Sequence, residues 1–246
     1  MSRAIRCAVA VVLFVCASVA TAQNVVVPNV YTNAPASAAG LNTFIRDTGN
    51  PRTGQLMINA NQLTSLVGQS IQGINFRMWT GSTTAFPATA ATWADYEIRL
   101  GQAPAFPMST TLANNFVGTP TLVRDGALTV NPGNFPGTGG PPRAFGTVPI
   151  LFDTPFVYTG GNLTIEVRHS GSNIVNNSLN DFLEAAALTD PGNNVNFASM
   201  TATGNTATTG AGNTFTTVQL IPAIPEPASL GLLGVASVAL LARRRK

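Results

Sequence analysis

The chain has 246 residues, of which only 9% are charged, with 23 glycines, 17 prolines, two cysteines and one histidine. One histidine excludes a multi-histidine zinc site, and two cysteines exclude a disulfide-dense scaffold. The formal +3 arises at the ends, where Arg3, Arg6 and Arg243 to Lys246 supply six of the thirteen basic residues; residues 23–224 hold seven arginines against nine acids, a formal −2 that leaves no basic surface for nucleic acid.

In chain order, Arg3 and Arg6 form a basic start, residues 8–19 an apolar run, and Ala20-Thr21-Ala22 an A-x-A site. This pattern predicts a secretory signal peptide over residues 1–22, cleaved before Gln23, with the Sec translocon and signal peptidase as partners. Val15 before Cys16 is bulky where a lipoprotein signal has a small residue, so no lipid anchor is expected. Both cysteines, Cys7 and Cys16, leave with the peptide, and the body that follows has neither cysteine nor lysine. Cysteine nucleophiles and Schiff-base lysines are thereby excluded from it.

Residues 23–224 read as one mainly β domain. A first strand is predicted at Val25–Val30, a second at Gln55–Ile58, and a short helix at Asn61–Val67, where Leu63, Leu66 and Val67 recur at helical spacing. Over Ile71–Trp79, Ile74, Phe76 and Met78 alternate with Gly73, Asn75 and Arg77, the period of a strand with one buried face. Trp93–Leu100 repeats it, with Tyr96, Ile98 and Leu100 against Asp95, Glu97 and Arg99. Further strands are expected at Pro120–Val123, Thr147–Phe152, Leu163–Arg168 and Thr214–Ile221, with turns at Asp125-Gly126, Gly160-Gly161 and Pro191-Gly192. Asn131–Pro142, dense in glycine and proline around Phe135, reads as a long exposed loop able to face a ligand. Ser199–Thr217, mostly Thr, Gly, Ala and Asn, reads as flexible or weakly paired. The fold expected is all-β, an antiparallel β-sandwich of jelly-roll-like type.

Chemistry is sparse in this body. His169, just past a predicted strand, is expected to be an exposed loop histidine, and no phosphate loop or nucleophile elbow supports a triad around it. Asp95 and Glu97 share a strand face with Arg99; a solvated, ion-paired ladder is the simpler expectation, and a glycosidase carboxylate pair the less favoured one. No catalytic residue and no organic cofactor is therefore predicted. Oxygen ligands gather around Asp181, Glu184, Asp190, Asn193 and Asn194, a set compatible with a structural calcium ion. Trp79, Trp93 and Tyr158 could form a stacking platform for sugar rings if they point outward, and Trp79, on the face opposite Ile74 and Phe76, is the tentative glycan contact.

The chain ends with Pro225-Glu226-Pro227, an uncharged run Ala228–Ala242, and the basic cluster Arg243, Arg244, Arg245 and Lys246. Fifteen residues make a helix of roughly 22 Å, short of the ~30 Å hydrocarbon core, but flanking apolar residues and snorkelling arginines extend the span. A transmembrane helix within 225–246 is expected, with the basic end cytoplasmic and the body outside. The three parts in this order resemble the PEP-CTERM sorting signal. That resemblance implies recognition by an exosortase-type membrane protease, a precursor held transiently in the inner membrane, and a secreted or cell-surface product. Arg52–Trp79, through Ile71, Ile74, Phe76 and Arg77, resembles the β-rich ectodomains that precede this signal. Together these readings predict a non-enzymatic surface-sorted protein, a structural component of an extracellular or biofilm matrix associated with exopolysaccharide. A lectin-like carbohydrate-binding module is the alternative, and a glycoside hydrolase comes third.

Overall fold

Alternating apolar residues and β-branched runs fold here into antiparallel sheets. A computed structural model of the chain describes residues 23–40, 44–45, 49–174 and 182–223. The signal peptide, Asp181, and the tail with its expected transmembrane helix lie outside the described residues. In chain order the strands begin with β1 (Val25–Val27), β2 (Ala38–Gly40), β3 (Arg52–Ile58), β4 (Ser70–Phe76) and β5 (Ala91–Trp93). There follow β6 (Tyr96–Ala103), β7 (Thr121–Arg124), β8 (Leu128–Val130), β9 (Ile150–Val157) and β10 (Asn162–His169). The last five are β11 (Leu183–Ala186), β12 (Phe197–Thr203), β13 (Ala211–Asn213), β14 (Phe215–Thr216) and β15 (Val218–Pro222).

Two sheets dominate, a four-stranded one in the order β1-β15-β4-β9 and a six-stranded one in the order β13-β12-β3-β10-β6-β7. Both contribute to one apolar core: Val27, Ile74, Phe76, Val218 and Leu220 come from the first, and Leu56, Ile58, Ile98, Leu100, Ile165 and Val167 from the second. Each such side chain, fully withdrawn from water, stabilises the fold by about 1.5–3 kcal/mol. Smaller sheets, β14-β11-β2 and the pair β5-β8, complete an all-β architecture of several antiparallel sheets.

Both faces of β4 are covered, not one. Arg77, just past its end, is 1% exposed. Its Nε donates to Glu184 Oε1 at 2.7 Å, its NH2 group donates to the carbonyls of Tyr31 and Ala34, and its guanidinium lies 5.0 Å from the Phe145 ring centre. An isolated bridge between Met78 and Leu183 continues β4 towards β11, which brings Glu184 to that face. A carboxylate and a guanidinium can be buried there only because each meets the other.

Three other expectations are corrected. Asn61–Val67 is not an α-helix but two 3-10 turns, Ala60–Gln62 and Thr64–Leu66; Leu63 and Leu66 are buried three residues apart, Val67 points to solvent, and so short a segment cannot sustain an α-helical ladder. Ser199–Thr217 is weakly paired only in part: residues 204–210 are turns and coil, but the segment begins within a fully paired strand. Strand β12 aligns along its whole length with β3 and is flanked by β13, with Phe197, Ala198 and Ser199 buried, because small side chains suit a strand packed on both faces. Asn131–Pro142 is not a fully exposed loop either, since Phe135 is buried and stacked on Phe86 at 6.3 Å while the two residues exchange backbone hydrogen bonds. Gly137 holds that segment in place: a Cβ there would stand 1.6 Å from the Thr84 carbonyl oxygen.

Candidate functional site

The outward face of the six-stranded sheet is divided. Towards one end, Met57, Ala198 and Met200 are roofed by Met108 and Leu112 from the segment between β6 and β7, forming a second apolar cluster. Towards the other, the face carries charge. Glu97-Ile98-Arg99 on β6 and Glu166-Val167-Arg168 on β10 run antiparallel, so Glu97 stands opposite Arg168 and Arg99 opposite Glu166. The result is a two-by-two checkerboard of donors and acceptors on one sheet face.

Buried Glu166, 4% exposed, is the centre of that arrangement. Its Oε1 accepts from Arg168 Nε at 2.7 Å, and its Oε2 accepts from Gln55 Nε2 at 2.7 Å and from Arg168 at 3.1 Å. Gln55 is itself fixed, donating to the Leu112 carbonyl and accepting from Asn115 Nδ2 at 2.8 Å. Arg99 pairs with Glu97 and reaches to 3.7 Å from Glu166; Arg168 also donates to the Asn205 carbonyl at 2.9 Å. Arg99, Glu97 and Arg168 keep about a quarter of their side-chain surface open to solvent.

Above the checkerboard lies an open cleft of about 590 Å³. Its lining includes Leu112, Phe116 and Pro120, residues 205–208, and Asp95. Gly101 makes room for Phe116 beside the sheet, because a Cβ at that position would lie 2.9 Å from the ring. The carboxylate oxygens of Asp95, Glu97 and Asp125 come within 4.8 Å of one another.

Of the expected ladder, Glu97 and Arg99 pair on β6 while Asp95 lies just before the strand; that pair is half of a two-strand array whose other half, Glu166 and Arg168, carries the buried carboxylate. The remaining candidates separate. Trp79 is half-buried, its ring packed over Gly81 and its backbone N–H donated to the Phe182 carbonyl. Trp93 and Tyr158 are core residues, so the three-aromatic platform does not form. His169 is corrected from an exposed loop residue to a buried one at the end of β10: its ring stacks on Tyr96 at 5.8 Å, meets Trp93 edge-on, and its Nδ1 accepts from the Gly171 N–H. Burial pushes the Tyr96 hydroxyl well above its ordinary value, and it donates to the Phe44 carbonyl at 2.7 Å.

In the oxygen-rich set, Asp181 lies outside the described residues, and Glu184, Asp190 and Asn193 have partners of their own. Glu184 is engaged by Arg77, and burial pushes its carboxyl up while the Arg77 charge pulls it partly back. Asp190 accepts from Tyr31 and from the Gly192 N–H, and Asn193 donates to the Leu188 carbonyl, so these two shape a turn.

A sequence model of the PEP-CTERM protein-sorting motif matches residues 223–246. The chain carries that motif. It covers Pro225, Glu226, Pro227 and the terminal Arg243, Arg244, Arg245 and Lys246, and it implies recognition by an exosortase and sorting to the extracellular space or surface. No curated protein and no solved structure matches the chain. Among the described residues, no helix is long and apolar enough to cross a membrane. In this PEP-CTERM chain, then, the address lies in the last residues and the chemistry-bearing surface lies on β6 and β10.

Proposed function

We propose that this protein is a non-enzymatic component of an extracellular matrix, exported through the Sec route, trimmed by signal peptidase between Ala22 and Gln23, processed at its PEP-CTERM tail, and associated with exopolysaccharide at or beyond the cell surface. The sorting motif at 223–246 is the observation that carries this reading. The composition of the body supports it: seven arginines, no lysine and no cysteine in residues 23–224, with polarity supplied by Asn, Thr, Ser and Gly. The fold side of the same proposal is a jelly-roll-like sandwich whose layers are the two large sheets, supported by the core they share.

A carboxylate hydrolase is less well supported. Of the pair such an enzyme would use, Asp95 and Glu97, the second is already engaged by Arg99 and stands opposite Arg168. The test is fractionation of cells producing the wild-type chain or a variant with Pro225, Glu226 and Pro227 all changed to alanine. The wild type should be recovered with the polysaccharide fraction outside the cell and the variant should be retained in the membrane. Equal distribution of both would overturn the reading.

A further inference from the structure

The body is poor in charge, and yet five of its sixteen charged residues line one cleft. They are Asp95, Glu97, Arg99, Glu166 and Arg168. Stability does not require this placement. Burying a carboxylate such as Glu166 costs several kcal/mol before pairing, and an apolar side chain of similar size usually stabilises at least as well. The neighbouring half of the same sheet face shows the alternative, being apolar and roofed over by Met108 and Leu112. The charged half is instead braced from the side by Gln55, which faces Glu166 across β3 and β10 and is itself held by Asn115 of the 112–115 segment, and it is left open above. Rigid, prepaired donors and acceptors at the floor of an accessible cavity are the construction of a binding site.

We propose that this cleft binds an uncharged saccharide segment. Three acids and two arginines leave a formal −1, with Asp125 beside Asp95 and Glu97, so the cleft disfavours a polyanion, while arginines ion-paired among the acids keep it from being a purely acidic patch for a polycation. Its arginine N–H groups and carboxylate oxygens alternate within a few ångströms. Vicinal hydroxyls, each both donor and acceptor, match such an alternation without breaking the existing ion pairs. Phe116, half exposed and braced on Gly101, together with Pro120 offers the apolar surface that the C–H face of a sugar ring covers. The threonines and Asn205 of the rim add neutral hydrogen-bonding groups. A volume of about 590 Å³ falls within the ordinary range for small-ligand sites. Glu97 and Arg99 contact the ligand, whereas Glu166 is a positioning residue that orients both arginines. The inference rests on the extracellular reading for where a glycan would be met, but its assay does not depend on how the tail is processed.

The experiment is a binding screen of the secreted protein against immobilised neutral gluco-, galacto- and manno-oligosaccharides, with oligogalacturonate as the acidic comparator, followed by titration calorimetry with the best neutral probe. Saturable binding to at least one neutral oligosaccharide is expected, unchanged between low and high salt because no net charge is exchanged. Glu97→Gln and Phe116→Ala should each weaken it about tenfold, the loss of one charge-assisted hydrogen bond or one stacking contact. Both positions are partly exposed, so the variants should melt close to the wild type, and a Trp79→Ala control should bind normally. Preference for oligogalacturonate, binding to none of the panel, or neutral binding that both cleft variants leave intact would overturn the assignment. Failure of this screen alongside correct tail processing would remove the cleft and leave the matrix reading standing.

Discussion

Two arginine–glutamate assemblies in this protein are built from the same chemistry and put to different ends. Arg77 and Glu184 are sealed between β4 and β11 with essentially no exposed surface. Glu97, Arg99, Glu166 and Arg168 stand on the outward face of β6 and β10 beneath an open cleft. The first pair joins parts of the chain: through Arg77 it ties β11 to the carbonyls of Tyr31 and Ala34. The second buries Glu166 but leaves Glu97, Arg99 and Arg168 about a quarter open to solvent. Sealing makes a charge pair a structural clamp; leaving its upper side open makes it a recognition surface.

Mutations can break or sharpen that contrast. The largest effect should come from Glu184→Ala, which strands the Arg77 guanidinium in the interior and should cost about 3–5 kcal/mol in denaturant titration. Replacing both members, Arg77→Met with Glu184→Leu, should recover most of that loss, because the penalty belongs to the orphaned charge. Glu166→Gln comes next, about 1–3 kcal/mol, since Gln55, Arg99 and Arg168 all lose a charged acceptor. Glu97→Gln, at the solvent-facing corner, should cost less than about 1 kcal/mol. If it proved as damaging as Glu184→Ala, the division into clamp and surface would be wrong.

The smallest expected effect is a pH dependence. Burial raises Glu184 above its ordinary 4.5, so the folded chain holds that proton more tightly than the unfolded chain does. Its contribution to stability is fully present below 4.5 and is lost as the pH rises through the raised folded value. Thermal melts across that interval should show a shallow downward slope, removed in Glu184→Gln. An upward slope of the same origin would mean that Arg77 outweighs desolvation.

The sequence makes some of this legible and hides the rest for physical reasons. Period-two alternation exposes β4, β6 and β10, and it places Glu97 and Arg99 on one face. It cannot reveal that Glu166 and Arg168 complete the array, because the register between β6 and β10 is set by tertiary pairing. Arg77 sits on what looks like the solvent face of β4, and only the approach of β11 covers it. Strands β2, β11 and β12 are rich in Ala, Gly and Ser, which carry little strand signal by themselves and become strands because neighbours pair with them. Phe135 is a single aromatic among turn residues, so its anchoring role depends on Phe86, distant in the chain. The sorting motif is legible outright, since its order of tripeptide, apolar run and basic end needs no tertiary contact to be recognised.

Delivery of the all-β body outside the cell by signals at both ends is tested by the intact mass of the protein recovered from its host's cells and culture medium. A species beginning at Gln23 and ending close to Pro225 is the predicted result. A membrane-bound species that still carries Arg243 to Lys246 would contradict it, making the tail a permanent anchor instead of a processed address.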